Sequence, residues 1–226
     1  MDIPRGKRRS IRLGYYDYSL PGAYFLTICS ADYKHIFGRI RDGQVSLSRI
    51  GRLAQQNLNT MTEQAVHLEL DYYVVMPNHL HAIVWILQAF EPDSTRAKHG
   101  FAPTQVEPNP PSLTASLATE AERNQVTGTT PKSVGSFVQA YKSAVTRTTR
   151  KQQWWGLKPL WQRNYYEHVI RNDYSLNVLR EYIINNPLRW HLDRHNSRRT
   201  GLNPVYKWLD DEASKSSKQP AERESF

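Results

Sequence analysis

Two histidines in an apolar run could bind a metal ion together. His79 and His81 lie in HLHAIVWIL, which has the β-branched and aromatic composition of a buried strand. Side chains at i and i+2 of a strand project from one face, about 7 Å apart at the backbone, so both imidazoles can reach one ion. Two sheet histidines without a metal are the alternative. Polar rings in a buried strand need partners, which favours the metal site.

A tyrosine and an asparagine near a proline could complete that site. Two imidazoles leave a divalent ion under-coordinated, so a third ligand is expected. Tyr182 and Asn186 are four residues apart and share one face of a helix that Pro187 ends. A phenol nucleophile and an amide ligand would then approach one ion together. The alternative, a core tyrosine and a cap-region asparagine, is the more common use of this spacing.

Alternating and helical patterns predict the elements that hold these residues. Strands are expected over residues 23–29, 68–75, 79–87 and 160–170, with a tight connection between the second and third. Helices are expected from Leu47 to about Met61, capped by Ser46 or Ser48, then after Ser133, and then after a capping Asp173. This order predicts an α+β fold, a ferredoxin-like or split βαβ antiparallel sheet with helices on its faces.

Composition divides the chain into three parts. Residues 1–22 form a basic, aromatic arm, residues 23–192 a single domain, and residues 193–226 a polar tail that we expect to fray. Residues 88–131 hold six of the thirteen prolines and show no sustained period, so they are expected to be a flexible insertion within the domain.

Charge and cysteine content narrow the class of protein. Among 226 residues, 30 Lys and Arg exceed 21 Asp and Glu, which gives a net charge of +9 and indicates a polyanionic partner, nucleic acid first. Cys29 is the one cysteine, which excludes cysteine-based zinc sites and disulfide scaffolds and fits a reducing cytosol. No apolar run is long enough to cross a membrane, so no membrane partner is expected.

Three segments together resemble a known family. They are RRSIRLGYYDYSLPGAYFLTICS, DYYVVMPNHLHAIVWI and LWQRNYYEHVIRNDYSLNVLREYIINNP. The chain resembles the REP-associated tyrosine transposases, relatives of the IS200/IS605 transposases and of the HUH single-strand DNA nucleases. The resemblance covers most of residues 8–87 and 133–192 and does not reach the insertion or the tail.

The resemblance implies a function and roles for particular residues. It implies a metal-dependent enzyme that cleaves and rejoins single-stranded DNA at REP-type hairpins through a 5′-phosphotyrosine, in the bacterial cytoplasm in association with the nucleoid. His79 and His81 would bind Mg²⁺ or Mn²⁺, Tyr182 would be the nucleophile and Asn186 the third ligand. Relatives often carry Gln at the place of Asn186. Tyr141, beside Lys142, is the competing nucleophile.

Further residues have weaker signals. Glu167 and His168 are candidates for a supporting role, and strand alternation allows only one of them to face the site. His191 and His195 are spaced to share a metal on a helix, but HLDRHNSRR has the composition of a solvated segment. Phosphate contacts are expected from the basic residues Arg8, Arg9, Arg12, Lys142, Arg147 and Arg150, for which a solvated basic surface is the alternative.

A non-catalytic nucleic-acid-binding module on the same fold is the competing function. It would use Tyr15, Tyr16, Tyr165 or Tyr166 to stack on bases of a single strand. The RNP pattern of RNA-recognition strands is absent, and His79, His81 and Tyr182 are all present, so we favour the enzyme. A monomer and a homodimer both remain open.

Overall fold

A central antiparallel sheet organises the protein. The computed structural model describes residues 17–87 and 131–217. Within those residues, four strands form the sheet in the order β4-β5-β1-β6, and two more form a separate hairpin. The strands are β1 Gly22–Cys29, β2 Gly38–Arg41, β3 Gln44–Leu47, β4 Leu68–Val75, β5 His79–Ile86 and β6 Tyr166–Ile170.

Helices cover both faces of the sheet. They are α1 Arg49–Gln64, α2 Val134–Lys151, α3 Asp173–Asn185 and α4 Pro204–Ser217. Tyr24 and Leu26 of β1 pack with α1 and α2 in one hydrophobic core, whereas their neighbour Phe25 packs with α3 and α4 in a second core on the opposite face. Alternation along β1 and β5 thus divides the apolar side chains between two cores.

The predicted fold class is confirmed. The main sheet is antiparallel throughout, and its order places the first strand at the centre beside the third and fourth main strands, as a split βαβ sheet requires. The hairpin of β4 and β5 has the predicted bounds to within one residue, and Ser48 caps α1 by accepting a hydrogen bond from Gly51 N. Gly51 is required there, because a Cβ would lie 1.9 Å from the carbonyl oxygen of Phe37.

Two local predictions are corrected. The fourth main strand starts at Tyr166 rather than at Leu160. In the segment before Tyr166, Trp161 forms an isolated β-bridge with Ser30. The Lys142 ammonium group donates hydrogen bonds to the carbonyl oxygens of Gln162 and Asn164. The cap of α3 is Asn172, whose side chain accepts from Ser175 N, and Asp173 is the first helical residue. The β2–β3 hairpin was not predicted.

Residues 193–217, the part of the predicted tail that the structure describes, are ordered, contrary to the expected fraying. Asp193, Asn196 and Asn203 are buried, and α4 packs Tyr206 and Leu209 into the second core. The polar residues are buried because they bond backbone groups of tight turns: Asp193 accepts from His195 N, Asn196 donates to Trp190 O, and Asn203 accepts from Val205 N. The three-part division of the chain remains a prediction.

The predicted arm contacts and most of the insertion cannot be placed in this fold. Arg8, Arg9, Arg12, Tyr15 and Tyr16 lie outside the described residues, as do residues 88–130. In the part that is described, no helix is both long and apolar enough to span a membrane.

Candidate active site

The two histidines meet on one face of the sheet. His79 and His81 flank Leu80 in β5, so both imidazoles point towards α3 and α4 while Leu80 enters the opposite core. Their Nε2 atoms are 3.0 Å apart, and both side chains are fully buried. The shared face that the spacing predicted is therefore observed, and both ring nitrogens converge on one point.

Neighbouring side chains set the tautomer of His79. Asn78 donates its amide hydrogens to the carbonyl groups of Tyr33 and His195 at 3.1 and 2.9 Å, so its Oδ1 is the acceptor for His79 Nδ1 at 2.9 Å. A neutral His79 then carries its hydrogen on Nδ1 and presents the Nε2 lone pair. The ring of His81 is held by a hydrogen bond of 2.9 Å between its Nδ1 and the Thr27 hydroxyl oxygen.

Both histidines are neutral near pH 7. Burial lowers the pKa of His79 and of His81 well below the usual 6.5, and each is lowered further by neighbouring histidines. Asp193 opposes this shift at His81. Neutral imidazoles are the form that binds metal.

Tyr182 reaches the same point from α3. Its hydroxyl oxygen lies 3.0 Å from His81 Nε2, and its ring meets that imidazole edge to face with centroids 5.1 Å apart. The side chain is 1 % exposed, and burial together with the nearby Asp193 raises its pKa well above 10. The structure brings the predicted nucleophile and the predicted metal pair into direct contact.

Asp193 and Tyr206 belong to the site and were missed in the sequence. Asp193 Oδ2 lies 3.6 Å from His79 Nε2 and accepts a hydrogen bond of 2.8 Å from the Tyr206 hydroxyl. The Tyr182 hydroxyl in turn donates to the Tyr206 hydroxyl. Both residues come from the segment that was expected to fray. The run NNPLRWHLD, which places Asp193 seven residues after Asn186, was the available signal.

Asn186 lies beside the carboxylate of Asp193. Its amide nitrogen donates to Asp193 Oδ2 at 3.2 Å, and its Oδ1 is buried without a hydrogen-bond partner among the described residues. His79, His81 and Asp193 each offer a ligand atom, and these atoms lie within 4.8 Å of one another. The predicted ligand is thus present in the cluster, with a carboxylate that was not predicted.

His195 approaches the pair from the same segment. Its ring centroid is 4.7 Å from that of His79, and its Nδ1 is 3.9 Å from Cys29 Sγ. Burial lowers its pKa to about 4. The expectation that this segment is solvated holds for His191, which is exposed, and fails for His195, whose ring packs on that of His79. The two histidines do not share one helix, because the 3-10 turn ends at Leu192.

The two supporting candidates lie on opposite faces of β6, as alternation required. Glu167 pairs with Leu26 and accepts a 2.7 Å hydrogen bond from the Tyr165 hydroxyl, whereas His168 pairs with Phe25 and packs against Trp208. His168 therefore shares the face of the site. No direct contact of His168 with His79, His81 or Tyr182 is found among the described residues, so a supporting role remains a prediction.

His168 makes the stability of the protein depend on pH. Burial, with a smaller effect of Arg171, lowers its pKa from 6.5 to about 4. Between those values the unfolded chain binds a proton that the folded chain does not, so the free energy of unfolding should fall by up to about 3 kcal/mol as the pH drops from 6.5 to 4. Urea unfolding of wild type and His168→Gln across that range measures the effect. We expect a shallower slope in the variant, and equal slopes would contradict the assignment. His191→Gln, at an exposed position, is the control.

The residues predicted on α2 lie across the sheet from the site. Tyr141 is fully buried in the opposite core, donates its hydroxyl to Ala54 O at 3.0 Å, and has a pKa raised by burial. Lys142 is held by two carbonyl groups, and burial lowers its pKa to about 8. Arg147 and Arg150 are exposed. The structure therefore separates Tyr141 from the histidine pair.

Comparison with known proteins identifies a family. The chain is 34 % identical over 187 residues to a protein of Haemophilus influenzae (strain ATCC 51907 / DSM 11121 / KW20 / Rd) that is named only as an uncharacterized protein. The match covers 83 % of this chain and 92 % of the Haemophilus protein. The chain belongs to the same family as that protein. No family model matches it.

Two solved structures have a similar fold. The first is a REP-associated tyrosine transposase bound to a REP hairpin, with a TM-score of 0.46 and 18 % sequence identity. The match covers 78 % of this chain and 73 % of the transposase chain. The second, from Deinococcus radiodurans R1 and provisionally named a transposase, has a TM-score of 0.36 and 19 % identity, with 82 % and 97 % coverage. Both TM-scores lie below 0.5, and the function proposed below rests on the chain's own residues.

Proposed function

We propose that this chain is a metal-dependent enzyme that cleaves and rejoins single-stranded DNA through a 5′-phosphotyrosine on Tyr182. One observation carries the proposal: the Tyr182 hydroxyl lies 3.0 Å from His81 Nε2, which itself lies 3.0 Å from His79 Nε2. A phenol beside two converging neutral imidazoles is the arrangement that a metal-assisted attack on phosphorus needs. The resemblance of the sequence to REP-associated tyrosine transposases supports the same chemistry.

The residues of the cluster fit a divalent ion. The Nε2 atoms of His79 and His81 lie 3.0 Å apart, close enough for one ion to bind both when each presents its lone pair, and the Asn186 Oδ1 is a buried acceptor without a partner in the described chain. His79, His81 and Asp193 would hold the ion, with Asn186 as a further oxygen ligand. Such mixed nitrogen and oxygen sites accept Mn²⁺ and, with more oxygen ligands, Mg²⁺. A bound ion would polarise the scissile phosphate and stabilise negative charge on it.

The hydrogen bonds around Tyr182 provide a path for its proton. Tyr182 donates to Tyr206, and Tyr206 donates to Asp193 Oδ2 at 2.8 Å, so the chain of donors ends on a carboxylate. When the phenolic oxygen forms its bond to phosphorus, the bond from phosphorus to the 3′-oxygen breaks, and that oxygen takes up a proton from solvent water as a free 3′-hydroxyl. The Tyr182 proton would pass through Tyr206 towards Asp193.

Substrate access requires part of the site to open. The Tyr182 side chain is 1 % exposed, with Asp193 and Tyr206 against its hydroxyl. A phosphate can therefore contact the Tyr182 oxygen only when one of these two side chains moves aside. The reverse step uses the same position: a second 3′-hydroxyl attacks the phosphotyrosine and rejoins the strand without ATP.

A covalent-adduct assay tests the function. The full chain is incubated with 5′- or 3′-labelled single-stranded hairpin DNA and Mn²⁺ or Mg²⁺, and the products are separated on denaturing gels. With the 3′ label we expect a labelled protein band that survives denaturation, and with the 5′ label a released strand with a free 3′-hydroxyl. Tight DNA binding with no adduct in either metal would instead support the non-catalytic module.

We expect binding to depend on salt and on strand structure. The folded single strand of a REP-like hairpin should bind through the cations of the chain, among them Arg147 and Arg150, with the predicted contacts at Arg8, Arg9 and Arg12. Raising the salt from 50 to 200 mM should weaken binding by about 10-fold or more. Fluorescence anisotropy with the hairpin strand and with a duplex of the same sequence measures both effects. Equal affinity for the duplex, or binding that ignores salt, would contradict the proposed substrate.

An enzyme of this kind would act in the bacterial cytoplasm, where its DNA substrate is. Its partner is then chromosomal or displaced single-stranded DNA with hairpins. Whether the protein acts as a monomer or a homodimer stays open, and size-exclusion chromatography with light scattering decides it.

A further inference from the structure

Three rings lie around the buried histidines, two of them partly exposed and one exposed. Trp190 stacks on His79, with ring centroids 6.0 Å apart and planes at 27°, and His35 meets Trp190 edge to face at 5.7 Å. Tyr33 stacks on His195, with ring centroids 5.4 Å apart and ring planes at 22°. We call Tyr33, His35 and Trp190 the aromatic rim. The rim is continuous with the site, because each stacked ring covers an imidazole of the cluster.

Trp190 is held in position by hydrogen bonds to its backbone, and its indole ring is partly exposed. Its carbonyl oxygen accepts two hydrogen bonds, from Asp193 N at 3.1 Å and from the Asn196 amide nitrogen at 3.0 Å. The side chain keeps partial exposure, and its indole N–H has no hydrogen-bond partner within residues 17–87 and 131–217. A partly exposed ring with a free donor is typical of a binding position rather than of a core position.

The loop that carries Tyr33 and His35 is held in an unusual conformation. Asp32 and Tyr33 have φ values of 55° and 53°, in the left-handed region that non-glycine residues rarely adopt. Such strain persists where surrounding contacts over-determine it, as at functional sites. Here the Tyr33 carbonyl accepts from Asn78, the same side chain that orients His79. One residue, Asn78, therefore contacts both the rim loop and His79.

The charge around the rim fits a polyanion. Exposed cations Lys34, Arg189 and Arg198 flank the three rings, and Arg198 is close enough to His35 to contribute to its lowered pKa. Asp32, 3.8 Å from Lys34, and Glu181, 3.9 Å from Arg189, are the acidic groups that pair with two of these cations, in exposed and weak contacts.

We infer that the aromatic rim is the subsite for an unpaired DNA base next to the scissile phosphate, with Trp190 as the stacking ring. The inference rests on the proposed function. Base–aromatic stacking is the interaction that lets proteins hold single strands, and duplex DNA cannot offer an unstacked base. Because Trp190 covers His79, a base stacked on its indole would hold the strand next to the histidine pair. Trp190 is then a positioning residue that selects single-stranded over paired DNA at the cleaved bond.

Coupling between a ring and a base tests this subsite. A hairpin strand is prepared with one abasic nucleotide, which is moved one position at a time along the single-stranded flank. Affinity is measured by anisotropy without divalent metal, and adduct formation with Mn²⁺ gives kcat and KM. At one position the abasic site should weaken binding to wild type by about 5- to 100-fold. Trp190→Ala should weaken binding of the intact strand equally and show no further loss at that position.

Two variants separate stacking from a structural effect. Trp190→Phe keeps a ring and should restore most of the affinity. Trp154→Ala is the control. Trp154 follows α2, is 37 % exposed and does not belong to the aromatic rim, so this variant should bind DNA as wild type does. If Trp190→Ala weakens every abasic substrate by the same factor as the intact strand, or has no effect, the stacking subsite is wrong.

The outcomes also distinguish this inference from the proposed function. A wild type that forms the adduct but shows no coupling between Trp190 and any base retains the function and loses the subsite. Coupling without an adduct in either metal retains the subsite and removes the catalytic proposal. A wild type that binds no single strand overturns both.

Discussion

Replacing Tyr182 with phenylalanine should abolish both DNA cleavage and the covalent adduct. The substitution removes only the oxygen that would attack phosphorus, and it changes the volume of the side chain little, so the fold should persist. The ring still packs against Phe25 and His81 in the second core. Gel assays with labelled single-stranded DNA should show a loss of at least about 1,000-fold, because the reaction has no other route to a phosphotyrosine.

Tyr141→Phe is the matched control. It removes the same atom from a buried tyrosine on the other face of the sheet, where the hydroxyl donates to Ala54 O. We expect a loss of about 0.5–1.5 kcal/mol in the free energy of unfolding and full retention of the adduct. A phosphotyrosyl peptide mapped by mass spectrometry to residue 141, or an adduct that persists in Tyr182→Phe, would contradict the assignment. An adduct on Tyr206, whose hydroxyl contacts that of Tyr182, would move the nucleophile to α4.

Removing either imidazole should abolish the metal-dependent cleavage. We expect His79→Ala and His81→Ala to lose at least about 100-fold in cleavage with Mn²⁺ or Mg²⁺, because each supplies one of few ligands. DNA binding should largely survive, since the cations on the surface are unchanged. Mn²⁺ should raise the melting temperature of wild type and leave that of each variant unchanged, because an ion that binds only the folded chain stabilises it.

The same assay ranks the oxygen ligands. Asp193→Asn keeps the shape of the side chain and removes its charge, so we expect a clear fall in Mn²⁺ affinity. Asn186→Ala removes the predicted third ligand together with its hydrogen bond to Asp193. A larger effect at Asp193 would make the carboxylate the third ligand, and a larger effect at Asn186 would restore the original prediction. His191→Ala, exposed and outside the cluster, should cleave as wild type does, and unchanged cleavage in His79→Ala would remove the metal site.

Features that depend on residues close together in the chain were predictable from the amino-acid sequence. The alternation of His79, Leu80 and His81 puts both imidazoles on one face of a strand, and helical spacing puts Tyr182 and Asn186 on one face of a helix. The sequence left Ser46 and Ser48 as alternative caps of α1 and began α2 after Ser133. The structure selects Ser48 for α1 and has Ser133 as the cap of α2. Element order then limits four antiparallel strands and their helices to a few topologies, of which the split βαβ sheet was the one expected.

The residues that join the site from distant parts of the chain became evident in the folded protein. Asp193 and Tyr206 lie 11 and 24 residues from Tyr182 along the chain, and no local period connects them to it. Their segment is polar, and polarity predicts exposure. These side chains are buried because their hydrogen bonds are satisfied inside the fold, by Tyr206 and Asn186 for Asp193 and by Tyr182 and Asp193 for Tyr206. Burial of a polar group depends on partners that composition does not reveal, since those partners meet only when α3, α4 and β5 pack together.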